Sequence, residues 1–426
     1  MQTSAFLPRR KGARGLGILA LAMASLPFSA FATNGYFSNG PSVKSNGLGG
    51  AGTAFPVDSL AGFINPAGIL FVGDRVDVGL TVFRPDRSST IEGNAFGADG
   101  EYSGNAREYF LLPEAGHTHR INDDVSFGLS LTGNGGMNTD YRRNPYRAFG
   151  GRGSAGVNLQ QIFLTPSLAF RVGEQQSIGI GLNFAVQRFY AKGLEGFAGA
   201  SLAPDRLTGN DYSTSTGVGV RLGWTGRFLD ERLSFGATWA SKIEGHFDDY
   251  EGLFAENGGF DIPQNASIGA AFRANDKLTL LADVQRIYYS KTKSVGNSLA
   301  PLLQGQPLGG KQGPGFGWRD IDVYKIAASY DYSPRLTLRA GFSHAEQPIP
   351  DDQTFFNILA PGAVQDQLSL GATWQTGERG EFSIYYSHAF EKEVNGRGSI
   401  PQPFGGGEAD IQLSEDSLGF AYAWKL

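Results

Sequence analysis

Few residues in this chain could carry out chemistry. The histidines are His117, His119, His246, His344 and His388, and only His117 and His119 stand close enough in sequence to share a metal. That pair falls at a strand end, where a solvated surface accounts for it without an ion. The acid pairs Asp248-Asp249 and Asp351-Asp352 read in the same way, as solvated loop residues rather than calcium ligands. No loop has the glycine–lysine spacing that cradles a phosphate. The expectation is therefore no metal and no cofactor. Two other groups stand out. Asn65-Pro66-Ala67 holds a proline, with fixed φ and no N–H, which supplies a rigid corner. That corner either gates something or simply ends a short helix. Arg221, Lys325 and Arg339 fall on the polar side of alternating segments, where each either meets a carboxylate headgroup or balances an acid such as Asp283.

The elements that position these groups are read from alternation. From Ser177 to Gln187 every second residue is large and apolar (Ile178, Ile180, Leu182, Phe184, Val186), and those between are small or polar. Such a strand presents one greasy face and one wet face. About ten such residues, tilted, cross the hydrocarbon of a bilayer. The pattern returns at Phe127 to Leu131, Val218 to Trp224, Leu336 to Phe342 and Leu418 to Trp424. It predicts fourteen strands, at 75–86, 107–118, 124–134, 157–172, 176–191, 211–227, 232–245, 263–274, 277–292, 321–332, 335–345, 365–376, 380–394 and 414–426. Their connections alternate between short, as at Asn122-Asp123 and Ser333-Pro334, and long, as at 135–156 and 293–320. A soluble β-sandwich has no cause for that rhythm. An outer-membrane barrel does, with short periplasmic turns and long outer loops. Closure is also required, because an open edge in lipid leaves backbone groups unpaired. Trp224, Trp239, Trp374, Tyr385, Tyr386 and Trp424 lie near strand ends and read as interfacial girdles.

Composition agrees. The chain has 426 residues, 61 glycines, no cysteine and a net charge of −5, with no later run long and apolar enough for a membrane helix. Mild acidity without a basic face argues against a nucleic-acid partner. Residues 1–32 read as a cleavable signal peptide, with Arg9, Arg10, Lys11 and Arg14, an apolar run from Leu16 to Phe28, and the site Ala30-Phe31-Ala32. The expected location is the bacterial outer membrane, with outer-membrane lipid around a monomer and the barrel-assembly machinery as a partner in biogenesis.

Alternation is absent from residues 33–72. This segment is too apolar for a disordered tail and too broken by glycine and proline for strands. A short helix is expected to start at Asp58-Ser59-Leu60-Ala61, capped by Asp58, and to end at Asn65-Pro66-Ala67. Its expected place is the bore, which a barrel of this size leaves open if unplugged. The domains are then 1–32 signal peptide, 33–72 plug and 73–426 barrel. The third strand runs into Gly133-Asn134-Gly135-Gly136, which reads as either a bulge or a turn into an outer loop. Pro113 and Pro166 mark further bulges or gaps. Phe197, Leu202, Leu253, Phe254, Phe355 and Phe356 make the long loops greasy. Clustered, they offer a landing groove for a hydrophobic ligand or pack as a cap on the barrel.

The residues Thr33-Asn34-Gly35-Tyr36, the run from Lys44 to Ala54, and Asp58 followed by Asn65-Pro66-Ala67-Gly68 resemble the start of the FadL-type long-chain fatty-acid transporters, a family that includes toluene and xylene uptake proteins. The resemblance is specific in this N-terminal stretch and architectural beyond it. It implies an all-β membrane protein, a 14-stranded antiparallel transmembrane β-barrel with an N-terminal lumenal hatch of short helices. It also implies passive uptake of hydrophobic molecules, fatty acids or hydrocarbons, with release sideways through a gap at a kinked third strand. Gly133, Asn134, Gly135 and Gly136 are then the gap candidates and Asn65, Pro66 and Ala67 the hatch motif. Asn34, Gly35 and Tyr36 are the end that approaches an inner ligand pocket. Leu426 departs from the terminal phenylalanine common in such strands. The chain reads as no enzyme; a general diffusion porin for polar solutes and a barrel hydrolase are the alternatives.

Overall fold

The structure, a computed structural model, describes residues 34–209 and 211–426, without the side chain of Asn134. The expected signal peptide lies outside the described residues. The strands are β1 (Arg75–Glu92), β2 (Gly100–Ser103), β3 (Phe110–Arg120), β4 (Val125–Asn138), β5 (Gly156–Gly173), β6 (Gln176–Lys192), β7 (Ser213–Phe228), β8 (Leu233–Ala240), β9 (Asn265–Arg273), β10 (Leu278–Ile287), β11 (Ile321–Ser333), β12 (Leu336–Ala345), β13 (Asp366–Gln375), β14 (Gly380–Val394) and β15 (Glu408–Lys425). The four-residue β2 hangs on the outer end of β1. The remaining fourteen pair antiparallel in chain order, and β15 returns to β1 from Arg75↔Lys425 to Glu92↔Glu408, closing the barrel. Short turns at one end and long loops at the other alternate as expected. β1 and β15 extend beyond their predicted ends because Asp86 to Glu92 pair with Glu408 to Ser414. Those residues are too polar to read as strand alone.

The alternation faces outward. Ile178, Ile180, Leu182, Phe184 and Val186 are 40–46% exposed, whereas Ser177, Asn183, Ala185 and Gln187 are buried. An apolar outside over a polar inside is what a lipid-facing wall requires. Trp239, Trp374 and Trp424 are exposed close to strand ends, as a girdle needs, whereas Tyr386, also exposed, lies mid-strand. Tyr385 is a correction: it points into the bore and packs on Val43 and Ala421.

Residues 34–74 fill the inside. They hold two single-turn helices, α1 (Val43–Asn46) and α2 (Ala61–Ile64), and a 3-10 stretch, Pro66–Phe71. Ser42 and Ser45 cap α1 reciprocally. α2 is capped differently from expectation. Leu60 stands at the cap without a side-chain bond. Asp58 accepts the Leu60 N–H at 3.0 Å and the Ser42 hydroxyl at 2.6 Å, which draws it out of the capping position. The 3-10 stretch lies against β5, β6 and β7, and α1 against β13 and β14. The backbone of this segment rests directly on strand glycines. A Cβ at Gly341 would come within 2.2 Å of Leu48 and Gly49 backbone atoms, which is one reason glycine is spread through strands.

Candidate functional site

At the short-turn end a buried charge network ties the N-terminal segment to the wall. Arg75 holds Asp77 through two bonds of 2.8 and 2.7 Å and reaches Glu381 at 2.8 Å. Lys44 of α1 donates to the same Glu381. Ser59 donates to Asp77 through its N–H at 3.1 Å and its hydroxyl at 2.6 Å. The Val43 N–H donates to Glu114 at 2.9 Å. Burial pulls Lys44 below its ordinary value and pushes Asp58 above, with Asp77 adding to the second shift. Removing one member of such a network leaves a buried charge uncompensated.

Asn65, Pro66 and Ala67 dock on a different part of the wall, at β6 and β7. The Asn65 amide donates to Thr53 O at 2.8 Å and Trp224 O at 2.9 Å, and its Oδ1 accepts the Ala67 N–H at 3.1 Å. Ser177 of β6 donates to Ala67 O at 2.9 Å. A Cβ at Gly179 would come within 2.3 Å of Pro66 and Ala67, and one at Gly223 within 2.0 Å of Asn65 Oδ1. The corner therefore ends α2 and also docks on β6 and β7.

The first described residues reach the middle of the bore. Tyr36 is fully buried among Phe37, Phe260, Tyr289 and Trp318, with centroids 5.2–6.1 Å away. Asn34 and Phe37 bridge each other, and Phe37 bridges Gly135 of β4. There the wall changes. β3 and β4 pair only up to Ala115↔Leu131, whereas β4 and β5 pair on to Asn138↔Asn158. Between Gly133 and Gly135 the β4 register slips, leaving Asn134 as the extra residue of a bulge. The Gly136 N–H donates to Tyr36 O at 2.9 Å, so the N-terminal segment takes the place of β3 there. Gly135, at φ +148, has no room for a side chain because its Cβ would lie 1.6 Å from Tyr36 O. Pro113 lies in the part of β3 that has lost β4, and it brings no N–H to restore the pairing. The glycine run is thus a bulge inside the strand rather than a turn.

Three of the cavities around this assembly bear on ligand passage. The outer one, about 510 Å3, is lined by Val157, Phe189, Leu194, Phe197, Leu253, Phe254, Leu308, Phe316, Phe356 and Leu359, with few polar atoms. Of the loop candidates, Phe197, Leu253, Phe254 and Phe356 line it, and Phe355 is buried behind it against Tyr146 and Phe149. Leu202 is not among the lining residues, and at 58% exposed it faces water. A second, narrow cavity lies between Gly35, the β4 bulge, β1 and β15. A third, about 510 Å3, lies between the N-terminal segment and the wall and holds Arg221 and Lys325. Lys325 donates to Asn39 O at 2.9 Å and Gln285 at 3.1 Å, and Arg221 lies 4.9 Å over the Phe63 ring. Arg339 is elsewhere, donating to Thr373 at 2.6 Å. The three cations do not converge.

The remaining polar candidates are surface features. His117 meets Arg75 O at 3.2 Å, and Asp248 meets His246 at 3.2 Å on an outer loop, where Arg206 holds Glu251 at 2.7 Å. Sequence reasoning missed Tyr289, Trp318 and Glu415. Parity along the last strand marks Glu415 as inward-facing. Nothing local distinguishes Tyr289 or Trp318 from other loop aromatics.

A closed barrel with a lipid-facing exterior and a bore filled by its own N-terminal segment is a transport barrel of the outer membrane. The family described as Outer membrane protein transport protein (OMPP1/FadL/TodX) matches residues 28–399, and the chain belongs to it. This is a family of transporters rather than enzymes. The long-chain fatty acid transport protein of Escherichia coli is 26% identical over 349 residues, 71% of this chain and 72% of that one. The crystal structure of a Pseudomonas aeruginosa FadL homologue shares the fold with a TM-score of 0.70 at 20% identity, covering 92% of this chain and 99% of that one. The P. putida toluene transporter TodX does so with 0.64 at 16%, covering 91% and 99%.

Proposed function

We propose that this protein takes up hydrophobic molecules, long-chain fatty acids or hydrocarbons, passively from the outer face of the membrane. Ligand is captured in the apolar outer cavity, passes to the inner cavity beside Gly35, and leaves sideways between β3 and β4 when Tyr36 and Phe37 move. Residues 33–72 act as the hatch and stay docked through Asn65-Pro66-Ala67 and the charge network. Residues 1–32 are its export signal, and the barrel works as a monomer. Each transfer moves apolar surface away from water, at about 25 cal/mol per Å2.

The observation that carries this reading is the loss of β3–β4 pairing beyond Ala115↔Leu131 while β4–β5 pairing continues. Deleting Asn134 removes the extra residue and makes the β4 register continuous. The expected result is loss of most uptake of labelled oleate or toluene by cells, with ligand binding to purified protein retained. Undiminished uptake by the deletion variant would exclude the lateral route.

A further inference from the structure

We propose that the inner cavity selects cargo bearing a hydroxyl group, an alcohol or a phenol, through Glu415 and Asn138. This rests on the uptake reading above and, at this cavity, narrows its hydrophobic cargo from fatty acids and hydrocarbons to molecules that carry a hydroxyl. The cavity is lined by apolar Phe83, Met137, Trp318 and Leu413, and two polar groups within that lining are unsatisfied. Glu415 is 2% exposed, and neither of its carboxyl oxygens has a hydrogen-bond partner. Asn138, also buried, has an Nδ2 that donates to nothing. Buried polar atoms are ordinarily paired, so two of them on residues that line one cavity mark missing partners.

The cation in this lining, Arg87, is committed elsewhere. It donates to Asn105 at 3.2 Å, to the side chain and carbonyl of Asn138 at 2.6 and 2.8 Å, and to Arg107 O at 2.6 Å. It makes no ion pair with Glu415. What the cavity offers is therefore an acceptor at Glu415 and a donor at Asn138 Nδ2. A hydroxyl has the chemistry for both kinds of group: its O–H donates to a carboxyl oxygen and its lone pair accepts from an amide N–H. A hydrocarbon satisfies neither group. A carboxylate is repelled wherever Glu415 is ionised, and is met by it only in the protonated form. An amine answers Glu415 and leaves Asn138 unmatched. Because Gly136 and Met137 of the β4 bulge line the same cavity, this choice is made beside the side exit.

The test is calorimetric titration of the full chain in lipid nanodiscs with p-cresol, toluene and 4-methylbenzoate at pH 8, three probes that differ only at the para position. Wild-type protein is expected to bind p-cresol about tenfold tighter than toluene, the worth of one or two good hydrogen bonds, with 4-methylbenzoate weakest. Glu415→Leu exchanges a buried unpaired acid for an apolar side chain, a change that barrels of this kind should tolerate. It is expected to bring p-cresol and toluene to within about twofold, chiefly by weakening p-cresol, and Asn138→Val to do so in part. Equal binding of p-cresol and toluene to wild type, as when water already satisfies both groups, overturns the proposal. So does a p-cresol preference that survives both substitutions, or a preference for 4-methylbenzoate. In those cases the uptake reading stands, because toluene still binds. Absence of binding by all three, with no uptake of labelled toluene or oleate, removes both.

Discussion

The two ends of the bore are lined by opposite chemistry. At the short-turn end Lys44, Arg75, Asp77 and Glu381 interlock with every contact buried, and Asn65-Pro66-Ala67 presses onto strand glycines. At the long-loop end Phe189, Phe197, Phe254 and Phe356 surround a cavity of about 510 Å3 that is almost free of polar atoms. The first arrangement is costly to break and indifferent to greasy ligands. The second attracts apolar molecules and has little directional bonding to hold one conformation. Capture and closure are thus separated along the bore, and substitutions at the two ends should separate them experimentally.

The largest effect is expected at the closed end. Glu381→Ala strands Lys44 and Arg75 without their shared carboxylate and should cost about 3–5 kcal/mol, read as a lowered thermal unfolding midpoint of the barrel. It should also raise ionic conductance in planar bilayers. Next is Gly179→Leu, which drives a side chain into Pro66 and Ala67. Overpacking of this kind costs about 1–3 kcal/mol and should again show as leak. At the open end, Phe254→Ala should weaken apolar ligand binding by about 1.5 kcal/mol, roughly tenfold, without changing conductance. The smallest effect belongs to Leu202→Ala, outside the cavity and expected within about 0.5 kcal/mol of wild type in binding and stability. Leak from Phe254→Ala as large as from Glu381→Ala would erase the distinction between the ends.

Much of the barrel was legible because its signal is local. A strand such as 176–191 shows its lipid face in every second residue, and loop lengths show which end is which. The parts that were not legible depend on distant partners. Nothing near Asp86 to Glu92 says that Glu408 to Ser414 will pair with them. Tyr385 and Tyr386 are adjacent aromatics in the middle of β14, and only register sends one into the bore. Asp58 has the look of a helix cap and is claimed instead by Ser42 and the buried charges. The glycine run after Gly133 fits a turn or a bulge equally well until β5 is found to pair straight past it. Of the loop candidates, composition picks out greasy residues but cannot tell inward Phe254 from outward Leu202.

The central claim is that this barrel passes apolar molecules while its own beginning keeps the bore shut to ions. Single-channel recording of the wild-type protein in planar bilayers tests it directly, with the same preparation checked for toluene uptake into liposomes. The expected result is near-background conductance together with uptake, and a steady open channel once residues 33–72 are deleted. A persistent ion-conducting state in the undeleted protein would contradict it and restore the reading of a general porin.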